Sequence, residues 1–298
     1  MSFNINLFAD LQHMWNYEFM QHAFETGTIV ALIAGVTGYF VVLRRSAFTA
    51  HAFSEIGFAG AAGAVLLEVP PIAGLLLGST LGAIAIAALG RRAANRDTQI
   101  GIVLAFALGL GLLFISPALY KGGYATEAYS ILFGEILGIS SSAVILTFVA
   151  GVDILVVTGL LYRPLLFSSL DEDVAEARGM PTLLIGTAFL LVVAVAVSFA
   201  VQVTGVLLIF SLMVTPAATA QYLATRPQNA IAISVGIAVA ATWAGLFVGY
   251  YTSFPVSFLI TGIVFSVYLL IRGLRLAFGR RRNVEVASLQ GIDNQPRT

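Results

Sequence analysis

The chain contains no cysteine, a single lysine and few charges of either sign. Without cysteine there are no disulfides, no thiolate nucleophile, no iron–sulfur ligation and no Cys-type zinc site. The lone lysine, Lys121 in ALYKGGYAT, does not stand in a GxxxxGK[ST] loop. The chain therefore has no cradle for a nucleotide and no means of hydrolysing ATP. HExxH, GxSxG and paired aspartates are also missing, which removes the commonest hydrolase constellations. Only 10% of the 298 residues are charged, against about 25% in soluble domains. A water-facing surface cannot be built from so few charges. The formal net charge is zero, so no nucleic-acid footprint is expected. The first 25 residues carry Asp10, Glu18 and Glu25 and have no basic region ahead of an apolar core. No cleavable signal peptide is expected there, and the first spanning helix would serve as the insertion signal.

What remains is apolar. Hydrophobic residues make up 59% of the chain, and the mean hydropathy is +0.94. Stretches of about 18–22 apolar residues recur, the length that crosses about 30 Å of hydrocarbon. They fall at 26–43, 48–67, 71–90, 99–116, 141–162, 182–202, 204–222, 229–250 and 255–273. The boundary at 202–204 is soft, so the reading is an all-α integral membrane bundle of eight or nine transmembrane helices. Residues 126–139 (TEAYSILFGEILGI) suit a short re-entrant or interfacial helix.

Basic residues set the orientation. Arg44 and Arg45 end the first span, and Arg91, Arg92 and Arg96 follow the third. Arg163 and Arg178 follow the fifth, Arg226 the seventh, and Arg272, Arg275 and Arg280 to Arg282 the last. With nine spans all of these share one side, the cytoplasm, and only Lys121 lies opposite; the C-terminus is then inside. Three regions result: an amphipathic segment at 1–24 with Trp15, Tyr17 and Phe19 as interfacial anchors, a membrane domain at 25–275, and a basic, then polar and disordered, tail at 276–298. Small residues recur at four-residue spacing, as Gly74, Gly78 and Gly82, Gly57 with Ala61, and Ala59 with Gly63. In lipid this spacing lets helix backbones approach closely.

Three places can carry function. His51 and Glu55, in FTAHAFSEIGFAG, share a helix face at i and i+4. Ionisable groups inside a membrane are costly and mark function by default. Imidazole and carboxylate together suit zinc, manganese or ferrous iron. Two ligands do not close a site, which suits a cargo that must be released; the plainer reading is a His–Glu hydrogen bond tethering helices. The second place is RPLLFSSLDEDVAEARGMPT. Ser169 and Glu172 have capping-box spacing, and Asp171, Glu172 and Asp173 crowd a first turn where the helix dipole favours negative charge. Val174 and Ala175 give small apolar surface, and Gly179 and Pro181 end the helix. A short capped helix in the longest cytoplasmic loop is either a docking knob or a loop with a stable turn. The third place is a pair of acids. Asp153, mid-span in AGVDILVV, is expected to face the bundle interior, and Glu135, in LFGEILG, the outer vestibule. Glu18, His22 and Glu25 form another His/carboxylate group, which an exposed polar face explains.

Four stretches in order resemble the membrane permease subunits of the bacterial zinc/manganese/iron ABC importers, from about Tyr17 to Phe265. They are VVLRRSAFTAHAFSEIGFAG, YSILFGEILGIS, LDEDVAEARGMP and VTGVLLIFSLMVTPAATAQYL. The resemblance implies a homodimer of permeases in the plasma membrane, a separate cytoplasmic ATP-binding subunit and an extracytoplasmic metal-binding protein. It implies that Leu170 to Met180 docks on the ATPase, and that the His51/Glu55 face meets the path of a divalent metal. No permanently bound cofactor is implied. The chain departs from the family at one point: where the family has Asp and then His, it has His51 and then Glu55. The rival reading is an ion-gradient-driven secondary transporter, but no internal repeat supports it.

Overall fold

The computed structural model describes residues 14–88, 96–120, 130–252 and 254–292. Among the described residues the regular structure is helical, without strands. The helices are α1 (Glu18–Leu43), α2 (Ala47–Leu66), α3 (Pro71–Ala88), α4 (Arg96–Tyr120) and α5 (Ser141–Leu170). After them come α6 (Glu172–Ala177), α7 (Thr182–Thr204), α8 (Val206–Leu223), α9 (Pro227–Tyr251) and α10 (Val256–Ile292). Helices α3 and α9 begin at Pro71 and Pro227, where a missing N–H costs no helical hydrogen bond. Ser140 caps α5, its hydroxyl accepting from the Ala143 N–H at 3.4 Å.

Seven of these helices are long and apolar enough to cross a membrane, and α8 contains a shorter apolar stretch, Leu208–Leu223. With 20 residues α2 is long enough, yet it falls outside that group because His51, Ser54 and Glu55 dilute its apolar character. Burial separates the helices further. The apolar windows of α1 and α7 are 67% and 61% buried, against 22% for α4 and α5 and 17% for α10. The first two therefore form the centre, and the other three present apolar side chains to their surroundings.

Pairs of touching residues give each helix its direction. Gly57 meets Ser79 while Gly60 meets Gly74, so α2 and α3 are antiparallel. Gly27 meets Thr242 while Gly35 meets Val235, so α1 and α9 are antiparallel, as are α9 and α10 through Gly245–Ile260 and Gly249–Val256. Leu75 meets Ser198, and Ala87 and Gly186 line one cavity, which sets α7 against α3. Phe48 meets Gly101 and Phe58 meets Gly111, so α4 runs with α2. Ile29 meets Gly151 and Arg44 meets Ser168, so α5 runs with α1. Thr204, just before α8, meets Ser257 and Tyr222 meets Tyr268, so α8 runs with α10. The nine long helices thus alternate in direction. Arg44, Arg96, Arg178, Arg226 and Arg272 all fall at one end, called the basic end below. Lys121 lies outside the described residues.

The expected segments match these helices to within a few residues except in four places. Helix α1 begins at Glu18, so residues 18–24 continue the first span; Trp15 and Tyr17 just before it and Phe19 in its first turn are exposed. Helix α5 does not stop near 162 but runs through Pro164 to Leu170. A proline costs a helix the bond to the fourth residue back, and membrane helices absorb that loss locally. In the 126–139 segment only 130–133 are helical among the described residues; Gly134, at φ +77°, then turns the chain. The last helix continues to Ile292, beyond the expected end at 273 and into the stretch expected to be disordered.

Of the close backbone contacts in the bundle, two join segments singled out in the sequence. On α2 and α3, a Cβ added to Gly60 would strike the Gly74 carbonyl, and the reverse holds for Gly74. The Ser79 hydroxyl donates to Phe53 O at 3.0 Å along the same seam. At the end opposite the arginines, Gly134 and Gly205 (φ +82°) lie backbone to backbone. Both hold a conformation that side chains disfavour, and a Cβ on either would collide with the other's main chain. The Ser257 hydroxyl is shared between Phe133 O (2.7 Å) and Thr204 O (3.3 Å), covering carbonyls that the breaks leave over.

Candidate functional site

His51 and Glu55 stand on one face of α2, a turn apart, with His51 Nε2 4.0 Å from Glu55 Oε1. That separation is too long for a hydrogen bond, so the tether that would explain the pair structurally is not formed. Glu55 is buried, its side chain 8% exposed, and the His51 side chain is 31% exposed. His51 Nδ1 and Glu55 Oε2 are buried without a hydrogen-bond partner. Buried polar atoms are nearly always satisfied, so two orphans on one pair are a strong departure. The pair can offer one nitrogen and one or two carboxylate oxygens to a cation.

Glu55 lies inside the bundle and His51 at its margin. The His51 ring lies 5.0 Å from the ring of Phe210. Phe210 is one turn into α8, whereas His51 is one turn into the antiparallel α2. About 13 residues of α8, roughly 20 Å, separate Phe210 from that helix's basic end. Counting along α2 alone puts His51 close to the basic end; the contact with α8 draws it inward. Gln202 Oε1 on α7 and Gln221 Nε2 on α8 are also buried and unpartnered. Neither glutamine stood out in the sequence, because an isolated amide in an apolar run has no spacing to betray it.

The other acids are not drawn into this site. Among the described residues no group of three or more His, Asp or Glu is placed to hold a metal. Asp153 is exposed on the outward face of α5 and does not face the interior as expected. The buried stripe of that helix runs through Thr147, Gly151, Ile154 and Thr158, and Asp153 sits about 100° round from Ile154. Glu135 is exposed in the turn after Gly134, at the end opposite the arginines. Near it, His22 Nδ1 lies 3.1 Å from Ile139 O and Nε2 4.0 Å from Glu18.

At the basic end the short helix α6 forms as expected, with a different cap. Asp171 is the N-cap, its Oδ1 accepting from the Val174 N–H at 3.0 Å. Ser169 is not free to cap, because it still belongs to α5 and its hydroxyl donates back to Leu165 O. Gly179, at φ +78°, ends the helix. Ala175 is fully buried against the bundle, while Leu170 and Val174 are 71% and 42% exposed. The helix is thus seated by one small side chain and turns apolar surface away from the bundle.

A polytopic helical bundle with a buried, unsatisfied His/Glu pair and a small exposed helix at one end is the build of a membrane transport subunit. Residues 16–274 match the ABC 3 transport family, and the chain belongs to that family. An uncharacterized membrane protein of Cyanophora paradoxa is 33% identical over 257 residues, covering 85% of each chain. The ScaB manganese import system permease of Streptococcus parasanguinis is 30% identical over 235 residues, 78% of this chain and 82% of its own. The fold matches that of PsaBC from Streptococcus pneumoniae in complex with Fab, with a TM-score of 0.79, 28% identity, and 88% and 94% of the two chains covered.

Proposed function

We propose that this chain is the permease subunit of an ABC importer that carries a divalent first-row transition metal ion, manganese before zinc, with His51 and Glu55 as a transient relay for the ion. The observation that carries this reading is the pair itself. A buried carboxylate and a part-buried imidazole sit together with one oxygen and one nitrogen unspent, and an uncompensated charge on the buried carboxylate costs several kcal/mol. A passing cation removes that cost. Two protein ligands hold it loosely enough to let it go, and a carboxylate–imidazole set accepts manganese and zinc alike. Two relatives named for manganese transport, ScaB and the MntC protein of Halalkalibacterium halodurans, support manganese. Family membership also argues against the gradient-driven alternative.

The rest of the machine follows from the same reading. The chain lacks a nucleotide site, so a separate ATP-binding subunit powers transport and docks on Leu170, Val174 and the exposed side of α6. The arginine-rich end faces the cytoplasm of a plasma membrane by the positive-inside rule. A second copy of the permease completes the pathway, and an extracytoplasmic metal-binding protein delivers the ion. The test is metal content in cells lacking the gene and starved of manganese or of zinc. Wild type restores accumulation of one metal. His51→Ala, at equal membrane level, lowers it at least about tenfold, the size expected when a metal ligand set is disturbed. Equal rescue by the variant removes the pair from the pathway, and no rescue by wild type removes the metal.

A further inference from the structure

Arg44 stands between α6 and the helix that carries His51 and Glu55. It is the residue that ends α1. Its Nη1 donates to Ser168 Oγ at 3.0 Å and Ser169 Oγ at 3.3 Å, in the last turn of α5. Its guanidinium carbon lies 5.6 Å from the centre of the Phe189 ring on α7. Ser168 and Ser169 lead directly into Asp171, the cap of α6. On the other side of Arg44 the chain turns within two residues: Ser46 N–H bonds back to Val41 O at 2.8 Å, Arg45 takes φ +53°, and α2 begins at Ala47. A displacement of α6 thus reaches Arg44 through two hydroxyls, and a displacement of Arg44 reaches His51 through a tight turn and one turn of helix.

The surroundings leave room for such a movement. A cavity of about 210 Å³ adjoins the arginine and is lined by Arg44, Ser46, Glu172, Thr187 and Phe189 among others. The cavity touches both the first residue of α6 and the turn before α2. Packed cores transmit strain but do not permit displacement; a long, charged side chain bridging hydroxyls beside a cavity does permit it. Serine hydroxyls can exchange one guanidinium nitrogen for another, and the five donors of arginine suit this while the point charge of lysine does so less well.

We propose that Arg44 is the positioning residue that links the seat of the ATPase-docking helix to the metal-relay helix, so that movement of α6 shifts α2. This rests on the reading that α6 docks the ATPase. The test uses the whole importer, reconstituted in liposomes with its ATPase and its metal-delivering protein, and measures Mn²⁺ uptake and ATP hydrolysis in the same vesicles. Arg44→Gln keeps ATP hydrolysis within about twofold of wild type and lowers Mn²⁺ moved per ATP at least about tenfold, a coupling change of ordinary allosteric size. Arg44→Lys recovers part of the loss. Ser168→Ala with Ser169→Ala gives the same uncoupling and adds little to Arg44→Gln, because all three break one link. An unchanged ratio of uptake to hydrolysis in Arg44→Gln overturns the proposal. So does a parallel fall in both with normal complex yield, since a simple structural staple behaves that way. Val174→Cys, cross-linked to the ATPase in an otherwise wild-type complex, reports separately on docking. Failure to cross-link strikes the docking reading on which the proposal rests, whereas cross-linking with an unchanged ratio strikes Arg44 alone.

Discussion

The seam between α2 and α3 and the joint around Arg44 both join the His51/Glu55 region to the rest of the bundle, and they are built in opposite ways. The seam has backbone against backbone at Gly60 and Gly74, a serine bonded to a facing carbonyl, and no space for one added carbon. The joint has a long cation reaching across to two hydroxyls and an aromatic ring, next to a cavity. Dispersion between closely fitted backbones gives a stiff unit that moves as one. A bridge of side-chain hydrogen bonds has several arrangements of similar energy and can switch. Under the proposed coupling, α2 and α3 move as one block and the basic end is where that block is steered.

The comparison is broken most severely by filling the seam. Gly60→Leu drives a side chain into the Gly74 carbonyl. It is expected to destabilise the bundle by about 3 kcal/mol or more, the upper range of overpacking; thermal unfolding in detergent and the yield of folded protein report it. Next comes Glu55→Gln, which leaves the seam intact and removes the charge. Metal uptake falls at least about tenfold, as for disturbance of a metal's ligand environment. The unfolding temperature holds or rises, because a buried charge without a partner is gone.

Those two expectations draw on different levels of legibility. The helices were readable because prolines, glycines and arginines punctuate apolar runs of spanning length, as at Arg44–Arg45, Pro71, Gly205 and Pro227. The His51/Glu55 face was readable from four-residue spacing, and α6 from its acidic first turn and the Gly179 and Pro181 that follow it. Its cap was not, because helix α5 runs past Pro164 and takes Ser169 with it. The facing of Asp153 was missed because the buried stripe of α5 follows small and hydroxyl-bearing residues, and an acid in an apolar run reads as interior. The contact of Gly134 with Gly205 and that of Arg44 with Ser168, 124 residues apart, depend on tertiary approach that no local pattern encodes.

Smaller effects sharpen the other side of the comparison. Asp171→Ala removes the cap of α6 and costs about 1 kcal/mol locally. Uptake falls about fivefold if α6 must be formed in order to dock, while thermal stability of the bundle stays within error. Asp153→Asn lies on the outward face, away from the pair and from the joint, and changes uptake by no more than about twofold, as surface substitutions do. A large loss in Asp153→Asn would bring that face of α5 into the transport cycle.

The most direct measurement is the initial rate of ATP-driven Mn²⁺ entry into proteoliposomes containing the complete importer, comparing wild type with His51→Ala and Glu55→Gln at matched ATPase activity. The account predicts entry in wild type, at least about a tenfold loss in each variant, and little further loss in the double variant, because the two side chains serve one ion. Equal entry in all four proteins would contradict it, and would place the metal path away from α2.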